Sequence, residues 1–264
     1  MFQKYSKNFS NDAKKLIKNG YCVFKIENLD LLNNIRKKFQ TFLAEENGIT
    51  TNDLSNLHDN LDPKNVNNVR LGFYNKINKE ENFTEQFLKL GENQIFEAVG
   101  TELAGNKKVN FSIQLPNDES STLGIHCDTF SGESEFQINL WVPLTDCKNS
   151  NSMFFFNPKF SKKVVDNLEK YEKSGIDSLL SSHKEEYEFI NIKYGQGLVF
   201  TPTCLHGNKI NKTKTTRISF NCRYKNIFSP YASKEENEKR LGSFYKILTP
   251  KASTIIGFNT QIKY

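Results

Sequence analysis

The chain has 264 residues, a formal net charge of +6 and 37% hydrophobic residues, with a mean hydropathy of −0.60. That length is enough for a full buried core, and 22 Phe with 10 Tyr exclude a disordered chain, which is poor in aromatics. Only Arg36, Arg70, Arg217, Arg223 and Arg240 of the basic residues are arginine, and no Lys/Arg cluster alternates with aromatics, so nucleic acid is not an expected partner. A mild attraction to anionic substrates remains.

Residues 11–19 carry a short helical pattern that stops at Asn19-Gly20. A strand is predicted over 21–26, then a helix opened by Asp30 with Leu31, Leu32, Ile35, Phe39, Phe42 and Leu43 at helical spacing. The polar, asparagine-rich stretch 48–79 reads as an irregular excursion of the kind that forms lids and binding loops. Helical periodicity returns over 83–103. Strands are predicted next at 109–115, 136–142 and 153–156, then a charged helical insertion over 160–188. Further strands are predicted at 189–193, 198–201 and 216–224, and an amphipathic helix around 235–248. The expected layout is one domain over 1–264. It has an N-terminal elaboration (1–108), a β core (109–224) interrupted by the insertion, and a C-terminal tail (225–264). Short two-faced strands with helices outside them fit a mainly β sandwich or barrel whose mouth can hold a metal and a small cosubstrate.

Cys22, Cys127, Cys147, Cys204 and Cys222 form no C-x-x-C pair and read as reduced thiols. The N-terminal residues have no apolar signal-like core, and no apolar run reaches membrane-spanning length. A soluble, cytoplasmic protein with no membrane partner is expected.

The chemistry concentrates in two places. His126 and Asp128 are two apart, so on an extended segment they project to one side while Cys127 points away. His206 answers them eighty residues later. Two histidines and one carboxylate form the facial set that holds Fe(II) and leaves positions open for substrate and molecular oxygen. A histidine that happens to lie beside an acid is the plain alternative. The residues on either side of His206 favour the metal. Gly195-Gln196-Gly197 turns into a buried strand expected to deliver His206 at its exit, and Arg217 comes eleven residues after it. Period two puts Arg217, Ser219, Asn221 and Arg223 on one face and Ile218, Phe220, Cys222 and Tyr224 on the other. A dicarboxylate such as 2-oxoglutarate chelates the metal at one end and needs a buried fork at the other. Arg217 supplies that fork where a lysine could not, and Ser219 can add a hydroxyl. Gln114, Gln137 and Asn139, at inward positions with Trp141, are further candidates to touch the cosubstrate. Arg223 can bind substrate or pair with an acid. Asn211 and Thr213 shape the turn after His206. His58 and His183 lie in polar segments and are read as bystanders. A zinc site using Cys127 and Cys204 leaves Asp128 and Arg217 without roles.

The segment from His206-Gly207 through Asn211, Thr213 and Arg217 resembles the HGxxxNxTxxxR signature of the phytanoyl-CoA dioxygenase-like Fe(II)/2-oxoglutarate oxygenases. His126 and Asp128 match that family's HxD, and residues 141–146 and 151–158 look like its central strand pair. The resemblance spans about 109–224. It departs from the family at Ile125, where an aromatic is common, and at Asn157-Pro158-Lys159-Phe160, where a P-G-S-H turn is common. In length and layout the chain is also similar to oxygenases encoded in bacterial carbohydrate-biosynthesis clusters. The resemblance implies a double-stranded β-helix (jelly-roll, cupin-like) core, with iron on His126, Asp128 and His206 and 2-oxoglutarate on Arg217. It also implies hydroxylation of a small-molecule substrate, a carbohydrate or sugar conjugate among the options, with release of succinate and CO2. The carboxylate at Asp128 argues for hydroxylation over halogenation. A metal-dependent isomerase and an inactive binding module on the same fold are the alternatives.

Overall fold

The computed structural model describes residues 8–173, 175–231 and 239–260. Helix α1 (Asn11–Asn19) starts where the Ala13 amide donates to the Ser10 hydroxyl, and it ends at Gly20, whose φ of 79° is a left-handed cap. Strand β1 (Tyr21–Lys25) and helix α2 (Leu29–Asn47) come next; Asn28, not the expected Asp30, caps α2. The asparagine-rich stretch is not an irregular loop. After two short 3₁₀ turns it forms helix α3 (Val66–Ile77), which buries Val66, Val69, Phe73 and Ile77 as one stripe. Asparagine between those positions dilutes the periodic signal, and tertiary packing supplies what local propensity lacks.

The helical pattern over 83–103 divides into α4 (Phe83–Leu88), α5 (Glu92–Val99) and the start of strand β2 (Leu103–Asn106). The break falls at Gly91, where a Cβ would lie 2.8 Å from Leu140 and 2.9 Å from Phe24. Strands β3 (Asn110–Gln114), β4 (Gln137–Pro143) and β5 (Met153–Phe156) come next. The insertion holds α6 (Pro158–Val165), α7 (Leu168–Lys173) and α8 (Leu179–Ser182). Strands β6 (Tyr187–Phe189), β7 (Gln196–Phe200), β8 (His206–Asn208), β9 (Arg217–Asn226) and β10 (Tyr245–Ile247) precede helix α9 (Ala252–Asn259).

Three expectations change. The strand expected over 189–193 ends at Phe189, and Ile192 makes only an isolated bridge to Cys147. His206 does not sit at the exit of β7 but opens a strand of its own in the second sheet. Of the helix expected around 235–248, residues 235–238 lie outside the described residues. The rest is not helical: Tyr245–Ile247 pairs with β2, and the buried Tyr245 hydroxyl donates to Glu133 and Gln137.

The strands form two antiparallel sheets. The larger runs β1-β7-β4-β9-β2-β10, with β3 also paired to β9; the smaller runs β6-β5-β8. Ile218, Phe220, Cys222 and Tyr224 enter the main apolar core beneath α2 and α3, where Phe111–Phe220 and Phe39–Phe73 ring centroids are 4.7 and 4.8 Å apart. The opposite face of β9 points at the smaller sheet, and Trp141, Leu198 and Phe200 pack on Phe155 between the two. Among the described residues no helix is long and apolar enough to cross a membrane.

Phe73 is 1% exposed and touches Phe39, Phe42, Phe111 and Phe220. Phe73→Ala is expected to lower the unfolding free energy by about 3–5 kcal/mol, read from urea denaturation.

Candidate metal centre

His126, Asp128 and His206 meet, with their ligand atoms within 4.8 Å of one another. Backbone pairing builds the meeting. The His126 amide donates to the His206 carbonyl at 3.0 Å and the His206 amide donates to the His126 carbonyl at 2.9 Å, an antiparallel bridge on the edge of β8. Cys127 takes the other side; its thiol donates to the Thr203 carbonyl at 3.1 Å and packs among Ile125, Phe154 and Leu205. Gly207 permits the approach. A Cβ there would lie 2.7 Å from the Gly124 carbonyl oxygen and 2.8 Å from that of Leu123.

Both imidazoles are set in one tautomer. Nδ1 of His126 lies 2.8 Å from the Gly124 carbonyl and Nδ1 of His206 lies 2.9 Å from the Cys204 carbonyl. A carbonyl only accepts, so each Nδ1 carries a proton, and Nε2 is the ring atom left to face a metal. His206 stacks on Phe155 at 5.2 Å and meets Phe200 edge-on. Burial, with the charges of His126 and Arg223 against that of Asp128, pushes its pKa down to about 4. Asp128 is buried too, which alone raises a carboxyl. The Arg223 guanidinium, His206 and two hydrogen bonds outweigh burial and hold it at about 2. Arg223 Nη2 donates to Oδ1 at 2.9 Å and Asn139 Nδ2 to Oδ2 at 2.5 Å. At neutral pH His206 is therefore a neutral imidazole and Asp128 a carboxylate, the forms in which they can ligate a divalent ion.

The three side chains open into a cavity of about 820 Å³, which Arg217, Ser219, Asn221, Trp141 and Arg223 also line. Arg217 is 4% exposed, and its Nε and Nη1 are buried with no hydrogen-bond partner among the described residues. Burial lowers its pKa to about 10, so it remains a cation at neutral pH. A buried guanidinium with unused donors fits a carboxylate ligand.

The other candidates divide. Ser219 lines the cavity on the face of Arg217. Asn139 acts on Asp128. Gln114 and Gln137, expected to touch a cosubstrate, do not line the cavity: Gln114 Nε2 donates to the Lys209 carbonyl at 2.6 Å, and Gln137 Oε1 accepts from Tyr245 at 2.6 Å. Asn211 Oδ1 accepts from the Thr213 amide and hydroxyl, shaping the turn before β9. His58 contacts Thr216 and His183 packs on Phe160, both outside the cluster. Sequence reasoning missed Glu133, which is buried against Arg223, Lys239 and Tyr245. Nothing in its spacing marks it. The stretch 48–79, expected to form a lid or binding loop, does reach the cavity, but as the wall formed by helix α3 rather than as an irregular loop.

No family model matches the chain, and no curated protein matches it in sequence. Solved structures match it in shape. ThoJ, a non-heme monooxygenase solved as a nickel complex, aligns with a TM-score of 0.58 at 15% identity over 92% of this chain and 86% of that one. EctD from S. alaskensis, solved with 2-oxoglutarate and 5-hydroxyectoine, aligns at 0.56 and 14% over 90% and 85%. SnoN, a non-heme alpha ketoglutarate dependent epimerase from nogalamycin biosynthesis, aligns at 0.54 and 14% over 90% and 97%. This chain has their fold.

Two outcomes test the centre. Gly207→Ala should weaken Ni(II) or Fe(II) binding about 10–100-fold, the scale of losing a ligand's support, as measured by calorimetric titration. In the metal-free protein, acid should destabilise the fold. An unfolded histidine takes its proton near 6.5 whereas His206 refuses it until about 4. Stability therefore falls as pH drops from 6.5 toward 4, by about 3 kcal/mol. The stabilisation from Asp128 is present above 3.8 and is lost only as pH falls through about 2. Urea unfolding in chelator should show the first loss in wild type and not in His206→Gln.

Proposed function

We propose that the chain is a non-heme Fe(II)/2-oxoglutarate-dependent oxygenase, with a jelly-roll core of the phytanoyl-CoA dioxygenase-like type, that hydroxylates a small metabolite. One observation carries the reading: a two-histidine, one-carboxylate set and a buried, unpartnered guanidinium line the same cavity. The fold neighbours, solved with nickel or 2-oxoglutarate, support it.

His126, Asp128 and His206 would hold the iron, and Arg217 with Ser219 the distal carboxylate of 2-oxoglutarate. Bound together, iron and 2-oxoglutarate supply the oxidising power that uses O2, with succinate and CO2 released. The chain's own residues position and shield. The Gly124 and Cys204 carbonyls fix the imidazole rings, Arg223 and Asn139 fix the Asp128 carboxylate, and Phe155 and Phe200 keep water from His206. SnoN keeps a second outcome in view, because an epimerase shares this fold. Hydroxylation adds an oxygen atom to the product, whereas epimerisation leaves its mass unchanged.

Anaerobic titration of the iron-loaded protein with 2-oxoglutarate should produce the weak visible charge-transfer band of the chelate. Arg217→Lys should weaken 2-oxoglutarate binding by about 1.5–3 kcal/mol, and Asp128→Ala should abolish succinate formation. Unchanged affinity in the first variant, or retained turnover in the second, removes that residue from its assigned role.

A further inference from the structure

Among the described residues lining the cavity, Asp128 is the one carboxylate, and Arg70, Arg217 and Arg223 are the three guanidiniums. Two of the three have assignments. Arg223 pairs with Asp128, and Arg217 faces the position given to 2-oxoglutarate. A divalent ion, one carboxylate, a dianionic cosubstrate and the guanidiniums of Arg217 and Arg223 leave the inner site with a small positive excess, so it needs no further positive charge from Arg70. Arg70 lies on α3, whose Asn67 and Leu71 are exposed, and this places it at the cavity mouth.

Its bonding leaves it available. Arg70 Nε and Nη2 both donate to Asn67 Oδ1, at 3.2 and 2.7 Å. That neutral acceptor pins one edge of the guanidinium, and among the described residues no carboxylate pairs with it and nothing uses the Nη1/Nη2 edge. Two parallel N–H groups on a planar fork match a carboxylate or a phosphate. Tyr74 lines the cavity one turn further along the helix, and Lys108 Nζ lies 5.7 Å from its ring, adding positive potential. Deeper in, Asn221 Oδ1 is buried with no donor, and Ser112 and Asn110 also line the wall. A buried acceptor without a donor is costly unless a ligand supplies an O–H or N–H.

We propose that Arg70 is a specificity residue and that the substrate is a polyhydroxylated metabolite carrying a phosphate or a carboxylate. The anion sits on the Arg70 fork, a ring or chain lies along Tyr74, and hydroxyl groups satisfy Asn221 and its neighbours. This rests on the reading of the cavity as an oxygenase site, but the anion contact itself does not require the metal.

The test is calorimetric titration of glucose, glucose 6-phosphate and glucuronate into two forms of the protein, metal-free and loaded with nickel and 2-oxoglutarate. One anionic probe should bind on the order of 10–100-fold more tightly than glucose, and which one does so identifies the anion. Arg70→Gln should erase that difference, Arg70→Lys should restore part of it, and 2-oxoglutarate affinity should be unchanged in both. Glucose binding as tightly as both anions, no binding by either anion, or a preference that survives Arg70→Gln overturns the proposal. Failure of wild type to take up nickel or 2-oxoglutarate defeats the oxygenase reading instead, and the metal-free titration still decides on Arg70.

Discussion

Two backbone hydrogen bonds, exchanged between His126 and His206, carry the site. They join segments eighty residues apart, and neither histidine has a reason to face the other without them. Closing so long a loop has an entropic cost that two hydrogen bonds do not offset. The two sheets meet the cost. Phe154 and Phe156 anchor β5 in the second core, β5 holds β8, and β8 presents the edge on which His126 docks. Gly207 lets the backbones close, and Cys127, pointing away, fastens the docked segment from behind. Ligand geometry is thus set by sheet packing rather than by flexible side chains, which is the support a metal site needs to stay in register.

Two of the cavity's arginines, Arg217 and Arg223, differ in what they meet. Arg223 has carboxylates on two sides, Asp128 at 2.9 Å and Glu133 at 3.6 Å, and Glu133 in turn meets Lys239 and Tyr245. Ion pairs of this kind add little net stability, because desolvation cancels most of the attraction. What they contribute is orientation: both oxygens of Asp128 are held, and the chain ties β10 to a metal ligand far away in sequence. Arg217 has no such partner. A folded protein keeps a dry, unpaired guanidinium only at a cost, and a ligand carboxylate is the group that offsets it. Both arginines leave a buried Nε without a hydrogen bond, but Arg223 is ion-paired to two carboxylates and Arg217 to none among the described residues.

The legible parts of the sequence were those whose period is local. Alternation over 217–224 assigned both faces of β9, and the two-residue spacing of His126 and Asp128 with Cys127 turned away is what the chain does. Long-range features were not legible. That His206 opens a new strand in the other sheet depends on pairing with β5 and with His126, neither of which leaves a mark near 206. Glu133 is defined only by partners at 223, 239 and 245. Gln114 and Gln137 lie on strands in the right part of the sheet, yet Lys209 and Tyr245 claim their amides.

Helix α3 shows why the least legible stretch lines the cavity. Its buried stripe needs only Val66, Val69, Phe73 and Ile77 to stay fixed, and these lock it on the phenylalanine cluster under β3 and β9. The neighbouring face, with Asn67, Arg70 and Leu71, lines the cavity and has no place in that stripe. Residues there can change with little effect on the packing of the helix, whereas Arg217 and His206 are buried in the sheets. The candidate metal group and Arg217 thus sit on the sheets, and the opposite cavity wall is a helix held by its other face. The asparagine-rich composition that hid the helix is compatible with it, since only one face has to be apolar.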